Sequence, residues 1–433
     1  MTLVRGSTSL AAFVLAALFV LAPASAQDLR KSPYWMDVRE ERATLMLELD
    51  APGTVTARLR SGDAVFEGRD ETDGVVHALI FDGLEAGGAY VYEVDLPAGE
   101  VLHGTLRTAP PRSTTRVRFA VYGDNRSDPE AHRAVAAAVS DFDPEFVLNT
   151  GDMVYAGTNV DDWQLFFEQT RTLYDHVPLF PVLGNHELFV EGAGARVYRR
   201  FVRTPLAAGR VEPYYAFDWD PVRVLVLDSN QDVSAGTKQR TWLDAELLRA
   251  SDDQVPHLFA ALHHGPLSGG YHGPNALQIA QGLEDALRDG GVELVFEGHD
   301  HLYERGDAAG LKYIVTGGGG APLYRLDRAP DYQLAFLPVH HFVGVEIDGA
   351  RVTIEARTPD GALLDRCSYV RGHPFVCADG TPRGPVRGEQ TVLAFYLRVA
   401  APWLVFLTAS LLTLLVVRRW RRRRAGPHSK GRP

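Results

Sequence analysis

Five short polar motifs in this 433-residue chain carry residue types that bind metal ions. Each motif follows an apolar run, and together they contain Asp, Asn, Tyr and His side chains: GDNR (123–126), GDMVY (151–155), GNHE (184–187), LHHGP (262–266) and GHDH (298–301). Carboxylate, amide and imidazole donors suit hard or borderline cations, and the motifs contain no thiolate of the kind a soft-metal site uses. One such motif alone could be a solvated polar loop, whereas five of them predict a metal centre.

The apolar runs before these motifs indicate the elements that position them. Between residues 116 and 370, short apolar runs alternate with helical stretches at 128–142, 237–250 and 275–289. This alternation predicts an α/β layered core with buried sheets. The stretch 341–358 indicates a closing β-hairpin with a glycine-containing turn. Because α/β folds place their sites in the loops at the carboxyl ends of strands, we expect the five motifs to converge.

Residues 28–110 have a different pattern. Apolar and polar side chains alternate there in short runs separated by turn residues, without a long helical period. Such alternation predicts an antiparallel β-sandwich of immunoglobulin-like type. The Ala-Pro-Pro stretch at 109–111 marks the expected linker to the larger domain.

The motif series resembles the purple acid phosphatase branch of the calcineurin-like metallophosphoesterase superfamily. That branch carries G-D-x-G, G-D-x-x-Y, G-N-H-[DE], V-x-x-H and G-H-x-H, and the resemblance covers roughly residues 30–370. It implies a four-layer α/β/β/α metallophosphoesterase catalytic domain, preceded by a fibronectin-like β-sandwich. The Tyr in GDMVY and the YER stretch after the last motif favour this branch over general calcineurin-like enzymes.

The resemblance also implies a ligand set for two metal ions. A first ion, expected to be Fe(III) because a hard cation favours an anionic tyrosine oxygen, and a second ion, expected to be Zn, Mn or Fe(II), would share a bridging carboxylate. The first ion would be bound by Asp124, Tyr155 and His301, the bridge would be Asp152, and the second ion would be bound by Asn185, His264 and His299. His263 is the alternative to His264. The two histidines of GHDH would therefore serve different ions.

Three further residues are candidates for contact with substrate. His186 follows the Asn ligand and would orient the phosphate or protonate the leaving group, with a structural role beside the metals as the alternative. His272 lies on the loop after the fourth motif, where the family keeps a substrate-facing histidine. Arg126 stands where the branch usually has Gly and where other superfamily members have a His ligand. It could bind a phosphate oxygen bidentately or lie on the surface.

These residues predict a phosphoric ester hydrolase. A pair of cations lowers the pKa of a bound water, binds phosphoryl oxygens and offsets developing charge, which is the chemistry of phosphoryl transfer to water. We expect a phosphomonoesterase that acts on a phosphorylated small molecule. The alternatives are a phosphodiesterase or nucleotidase with the same metal centre, and a non-catalytic cell-surface binding protein.

The two ends of the chain predict export and anchoring. Residues 1–26 are typical of a signal peptide, with an uncleaved anchor as the alternative, and the 19 uncharged residues 399–417 could cross a bilayer. The arginine-rich tail 418–433 indicates a cytosolic side, although such a run could also be a nucleic-acid patch. The predicted organisation is therefore a signal peptide (1–26), a sandwich domain (28–110), a catalytic domain (116–370), a disulfide-closed segment and linker (371–398), a transmembrane helix and a basic tail. It places the catalytic domain on the periplasmic side of a bacterial inner membrane.

The charge and cysteine content of the middle part fit this organisation. Arg5 and the eight basic residues after Val417 account for 9 of the 44 Lys and Arg. The remaining 35 basic residues stand against all 55 Asp and Glu, which gives the rest of the chain a formal charge of −20. A part that acidic should not bind nucleic acid by neutralising phosphates. Cys367 and Cys377 are the only cysteines, and in an exported chain they predict a disulfide, with metal ligation as the alternative.

Overall fold

The computed structural model describes most of the chain between its two predicted terminal segments. The described residues are 29–70, 72, 74–188, 193–205, 213–325, 329–378 and 384–385. The predicted signal peptide, the predicted transmembrane helix and the basic tail lie outside them. Among the helices of the described residues, none combines the length and the apolar character that crossing a membrane requires.

The N-terminal part is a β-sandwich of two four-stranded antiparallel sheets. Inward and outward side chains alternate along its strands, and the inward ones include Trp35 and Tyr92, whose rings pack edge to face with centroids 5.7 Å apart. The strands are β1 Leu29–Met36, β2 Arg42–Leu49, β3 Thr56–Ser61, β4 Ala64–Glu67, β5 Arg69–Asp70, β6 Val76–Asp82, β7 Ala89–Asp95 and β8 Val101–Arg107. One sheet has the order β1-β2-β6-β5 and the other β4-β3-β7-β8.

Two larger sheets form the centre of the second domain. The first has seven strands: β9 Arg116–Tyr122, β10 Val147–Asn149, β11 Leu179–Pro181, β19 Phe342–Asp348, β20 Arg351–Arg357, β21 Leu363–Val370 and β22 Val376–Cys377. The second has eight: β12 Tyr215–Trp219, β13 Val222–Val226, β14 His257–Leu262, β15 Leu294–Glu297, β16 Tyr303–Ala308, β17 Leu311–Thr316, β18 Gln333–Leu337 and β23 Gly384–Pro385. Their orders are β11-β10-β9-β19-β20-β21-β22 and β12-β13-β14-β15-β17-β16-β18-β23.

Helices cover the outer faces of both sheets. They are α1 Pro129–Asp141, α2 Val160–Gln169, α3 Arg171–Tyr174, α4 Ala193–Phe201, α5 Lys238–Asp252, α6 Ala276–Ala280 and α7 Leu283–Asp289. Along β9, Phe119 faces the space between the sheets whereas Tyr122 faces α1 to α4. Along β13, Val224 faces the same inner space whereas Leu225 faces α5 and α7. The predicted α/β layering is therefore confirmed, in the order helix, sheet, sheet, helix.

Two local predictions met different outcomes. The single helical stretch expected at 275–289 is divided into α6 and α7, because Gly282 adopts a left-handed backbone (φ 70°) that interrupts the helix. The disulfide between Cys367 and Cys377 is confirmed, and it joins neighbouring residues of β21 and β22.

The sandwich packs against the second domain through a buried ion pair and an aromatic contact. The side chain of Lys31 hydrogen-bonds Glu48, and both are almost fully buried. Arg200 of α4 donates to the other oxygen of Glu48 at 2.7 Å, which links the two domains. Tyr34 stacks on Phe167 with ring centroids 4.0 Å apart. Removing Glu48 would leave buried positive charge uncompensated, so this contact fixes how the sandwich is attached.

A buried histidine in α1 gives a prediction for the pH dependence of stability. His132 is 1% exposed, its Nδ1 lies 2.6 Å from Gln169 Oε1, and burial lowers its pKa from 6.5 to about 4. The unfolded chain therefore binds a proton between these values that the folded chain does not bind. The contribution of His132 to the free energy of unfolding is fully present above pH 6.5. It decreases as the pH drops toward 4, by up to about 1.4 kcal/mol per pH unit.

We expect urea unfolding to show this effect directly. The free energy of unfolding of the wild type should fall more steeply between pH 6.5 and 4.5 than that of His132→Phe, which has no titrating ring. Equal slopes for the two proteins would contradict the assignment of a neutral buried imidazole.

Candidate metal centre

All five polar motifs lie at the carboxyl ends of parallel strands. β9, β10 and β11 are parallel in the seven-stranded sheet, and β13, β14 and β15 are parallel in the eight-stranded sheet. The loops after these strands hydrogen-bond to one another: the Asp124 N–H donates to the Gly151 carbonyl (2.9 Å), and the Gly298 N–H donates to the His263 carbonyl (3.0 Å). Residues distant in sequence are thereby brought to one place at the carboxyl-end edge of the two sheets.

The backbone at this place is conformationally constrained. Asp124, Asp152 and His299 have left-handed backbones with φ of 56°, 54° and 68°. Non-glycine residues adopt this region at a cost of order 1–3 kcal/mol, and they concentrate at functional sites. A Cβ added at Gly184 would lie only 2.4 Å from Asp152 Oδ1, so the chain passes too close for any side chain there. The fold holds these loops in one arrangement although the arrangement is unfavourable for the loops themselves.

Three acceptor atoms converge at the second metal position. His263 is fully buried, and its Nδ1 lies 2.8 Å from the Thr150 carbonyl, so Nδ1–H donates there and Nε2 is the nitrogen available to a metal ion. That Nε2 lies 3.1 Å from Asn185 Oδ1 and 3.3 Å from Asp152 Oδ1. Donors that share one cation at about 2.1 Å are themselves about 3 Å apart, so these separations fit a metal site.

The structure favours His263 over His264 as the donor beside Asp152 and Asn185. His264 Nδ1 lies 2.9 Å from Ser229 Oγ, and its ring packs on the ring of His299 with centroids 4.3 Å apart. One donor atom each of His263, His264 and His299 lies within 4.8 Å of the others, so His264 remains at the edge of the same cluster. The choice of His264 followed the Gly-Pro that comes after it, whereas the direction of each side chain from β14 decides which imidazole enters the site.

Electrostatics at this position favour a cation. Burial lowers the pKa of His263, but the carboxylates of Asp152 and Asp124 raise it by more, so that the pKa is about 9. Burial and the neighbouring His263 lower the pKa of His264 to about 3, and the same causes lower the pKa of His299. Positive charge is thus favoured at one point among these imidazoles. An environment that holds a proton there suits a metal ion in its place.

A residue to which the sequence analysis gave no role supports the metal position. Glu187 is fully buried, and its carboxylate accepts hydrogen bonds from the N–H groups of Gly184 (2.8 Å), Asp152 (3.0 Å) and Val154 (3.3 Å). It thereby joins the loops after β10 and β11. The last letter of GNHE was its only sequence signal.

At the first position a guanidinium lies among the expected ligands. Asp124 Oδ1 is 3.3 Å from His301 Nε2, a separation typical of two donors on one ion. Arg126 Nε lies 3.1 Å from Asp152 Oδ2, and Arg126 Nη2 lies 3.2 Å from the same His301 Nε2. The side chain of Arg126 is only 11% exposed, which excludes a surface role.

Tyr155, the expected fourth donor at this position, is directed elsewhere. It is 60% exposed, and its ring lies beside that of His186 with centroids 5.7 Å apart. The expectation of Fe(III) depended on this phenol. The residues at the second position therefore fit a cation. At the first position Asp124 Oδ1 is buried without a hydrogen-bond partner, but a side-chain cation already contacts Asp152 and His301 and the phenol is turned outward.

His186 lies beside Asp152, and His272 lies beside His299. His186 Nδ1 is 2.6 Å from the Tyr155 carbonyl, and its Nε2 is 3.8 Å from Asp152 Oδ2. The His272 ring packs on that of His299 with centroids 3.9 Å apart, and the backbone N–H of His272 donates to Asp300 Oδ1 at 3.0 Å. Both predicted substrate-facing histidines are thus adjacent to the metal position.

Comparison with known proteins identifies similar chains. Residues 117–303 match the family model described as calcineurin-like phosphoesterase. A probable purple acid phosphatase 20 of Arabidopsis thaliana is 26% identical over 264 residues, which cover 57% of this chain and 61% of that protein. A phosphoenolpyruvate phosphatase of Allium cepa is 28% identical over 279 residues, which cover 59% of this chain and 55% of that protein.

The fold is similar to that of a solved purple acid phosphatase. The structure of PPD1 from yellow lupin seeds superposes with a TM-score of 0.70 at 17% identity, covering 79% of this chain and 75% of that one. At that identity the likeness concerns the fold. The chain spans about three fifths of the length of the curated relatives described above.

Substituting the two adjacent histidines should distinguish their roles. We expect His263→Ala to weaken zinc binding by more than about 100-fold, since it removes the donor nearest Asp152 and Asn185, and His264→Ala to weaken it by less than about tenfold. Competition with a chelating dye measures both affinities, and circular dichroism shows whether each variant is folded. The reverse order of effects would assign the ligand to His264.

Proposed function

Because residues 117–303 form a calcineurin-like phosphoesterase domain, we propose that this protein is a metal-dependent phosphomonoesterase. The observation that carries the proposal is the position of His263 Nε2, which lies 3.1 Å from Asn185 Oδ1 and 3.3 Å from Asp152 Oδ1. Acceptors that face each other beside the fully buried Asp152 and His263 are stable only around a positive charge. The similarity to purple acid phosphatases supports the choice of reaction.

The residues around the centre have different roles in hydrolysis. A bound cation supplies a Lewis acid for a phosphoryl oxygen and lowers the pKa of water. Asp152, Asn185, His263 and His299 would hold that cation. Their imidazole, amide and carboxylate donors suit Zn, Mn or Fe(II). Arg126, at the Asp152 side, places a permanent positive charge next to the region where phosphate oxygens would lie.

His186 is placed to deliver a proton. Its Nδ1 faces the Tyr155 carbonyl at 2.6 Å, which fixes the tautomer so that Nε2 carries the exchangeable proton when the ring is protonated. The ring is close to Asp152 without being one of the converging donors. We assign it the protonation of the leaving-group oxygen, a role worth typically 10²–10⁴-fold in rate.

A polar cavity beside the centre is the proposed binding place for the rest of the substrate. It has a volume of about 260 Å³, and its lining includes Ser268, His272, Asn275 and Asp300. The volume suits a small phosphorylated molecule, and the polar lining suits a hydroxylated or charged leaving group.

We also propose that the domain acts outside the cytoplasm. The Cys367–Cys377 disulfide supports this location, because disulfides persist in oxidising compartments. The predicted signal peptide and the predicted anchor at 399–417 point the same way from the sequence.

Hydrolysis of two model esters tests the reaction class. We expect metal-replete protein to hydrolyse p-nitrophenyl phosphate faster than bis(p-nitrophenyl) phosphate, to lose that activity on chelation and to regain it when Zn or Mn is restored. Preference for the bis ester would indicate a phosphodiesterase. No turnover of either ester by metal-replete protein would contradict the proposal.

Substituting His186 tests its assigned role. We expect His186→Gln to lower kcat for p-nitrophenyl phosphate by about 100-fold while the metal content stays unchanged, since it removes a proton donor and no metal ligand. His103→Gln, at an exposed position in the sandwich, is the matched control and should keep wild-type kcat. Loss of metal from His186→Gln would show that the residue acts through the metal site.

A further inference from the structure

The Arg126 guanidinium lies where a metal ion is expected. We propose that Arg126 takes the place of the first cation, so that the centre binds one metal ion, held by Asp152, Asn185, His263 and His299. The inference rests on the proposed function for its account of the centre, and it changes the number of metal ions that the centre uses.

The first line of support is the use of the ligand atoms. His301 Nδ1 lies 2.7 Å from the Pro322 carbonyl, so it donates there and Nε2 keeps a lone pair. That lone pair accepts a hydrogen bond from Arg126 Nη2 at 3.2 Å. Arg126 Nε donates to Asp152 Oδ2 at 3.1 Å. Asp152 Oδ2 and His301 Nε2, two atoms expected to bind a first metal ion, are therefore both hydrogen-bonded to one guanidinium.

The second line of support is that Arg126 is held in position. Its side chain is only 11% exposed and hydrogen-bonds Tyr324, whose ring stacks on that of His301 with centroids 4.0 Å apart. Arginine keeps its charge at every accessible pH, so this cation cannot be removed by deprotonation. A divalent ion between Asp124 and His301 would lie next to that fixed charge and be repelled by it.

The third line of support is that the Tyr155 phenol does not lie at the first metal position. Tyr155 is 60% exposed, and its ring lies next to His186. Without its phenolate, Asp124 and His301 are the donors that remain to the first position besides the shared Asp152. Two carboxylates and a neutral imidazole offer fewer anionic oxygens than the expected set with a phenolate, and a trivalent ion prefers anionic oxygen donors.

The replacement has a definite chemical consequence. A guanidinium supplies positive charge and directed N–H donors, as a first metal ion would supply charge to the phosphoryl oxygens. It cannot lower the pKa of a water molecule by coordination. Activation of water must therefore come from the ion at His263, and Arg126 is limited to binding charge.

Counting metal ions on the full chain tests the inference. After saturation with zinc or manganese and removal of excess, elemental analysis should find one ion per wild-type chain. Arg126→His, which offers a neutral donor at the same position, should bind two. Arg133→His is the matched control, because Arg133 is exposed on α1, and it should keep one ion.

A spectroscopic measurement gives an answer that needs no variant. Electron paramagnetic resonance of the manganese-loaded wild type should show an isolated Mn(II) ion, and iron-loaded protein should lack the visible band of tyrosinate bound to Fe(III). Two ions per wild-type chain, or an exchange-coupled manganese pair, would overturn the inference. One ion per chain without hydrolysis of p-nitrophenyl phosphate would contradict the proposed function and still support the inference.

Discussion

The structure depends on one electrostatic requirement, that buried acceptor atoms facing one another must share a positive charge. Asp124, Asp152 and His263 are fully buried, and together with the half-buried Asn185 they present oxygen and nitrogen atoms to a common region. In such a medium an uncompensated carboxylate is strongly unfavourable, and the penalty falls only when a cation is bound or a proton is taken up. The raised pKa of His263 has the same cause, because a proton on its ring also supplies positive charge next to the carboxylates. The function proposed here follows from supplying that charge as a metal ion.

Much of the fold serves to hold this unfavourable arrangement together. Two sheets present the carboxyl ends of parallel strands side by side, and three residues at these ends accept left-handed backbones. Glu187 ties the loops after β10 and β11 through backbone N–H groups, although its own carboxylate is buried. Such strain persists only when the surrounding packing over-determines it. The aromatic and aliphatic core between the sheets, around Phe119 and Val224, provides that packing.

The sequence predicted the parts of this structure that depend on local pattern. Alternation of apolar runs with helical stretches was enough for the layered fold, and glycine-bounded polar motifs marked the loops of the site. The break at Gly282 was missed, because one glycine in a helical pattern is often tolerated and the surrounding packing decides. The choice between His263 and His264 could not be made from pattern, because neighbouring side chains point to opposite sides and the tertiary contacts with Thr150 and Ser229 decide which one faces Asp152.

Arg126 shows why a complete set of motif letters does not determine the number of metal ions. Every donor type that the resemblance requires is present, yet one position beside Asp124 carries a side chain long enough to reach Asp152 and His301. A buried guanidinium meets the same charge requirement as an ion, without depending on the supply of metal. Its charge is fixed covalently, so it also lowers the affinity of the adjacent position for any second cation. The count of cations at such a centre is therefore decided by a residue that is not itself a ligand.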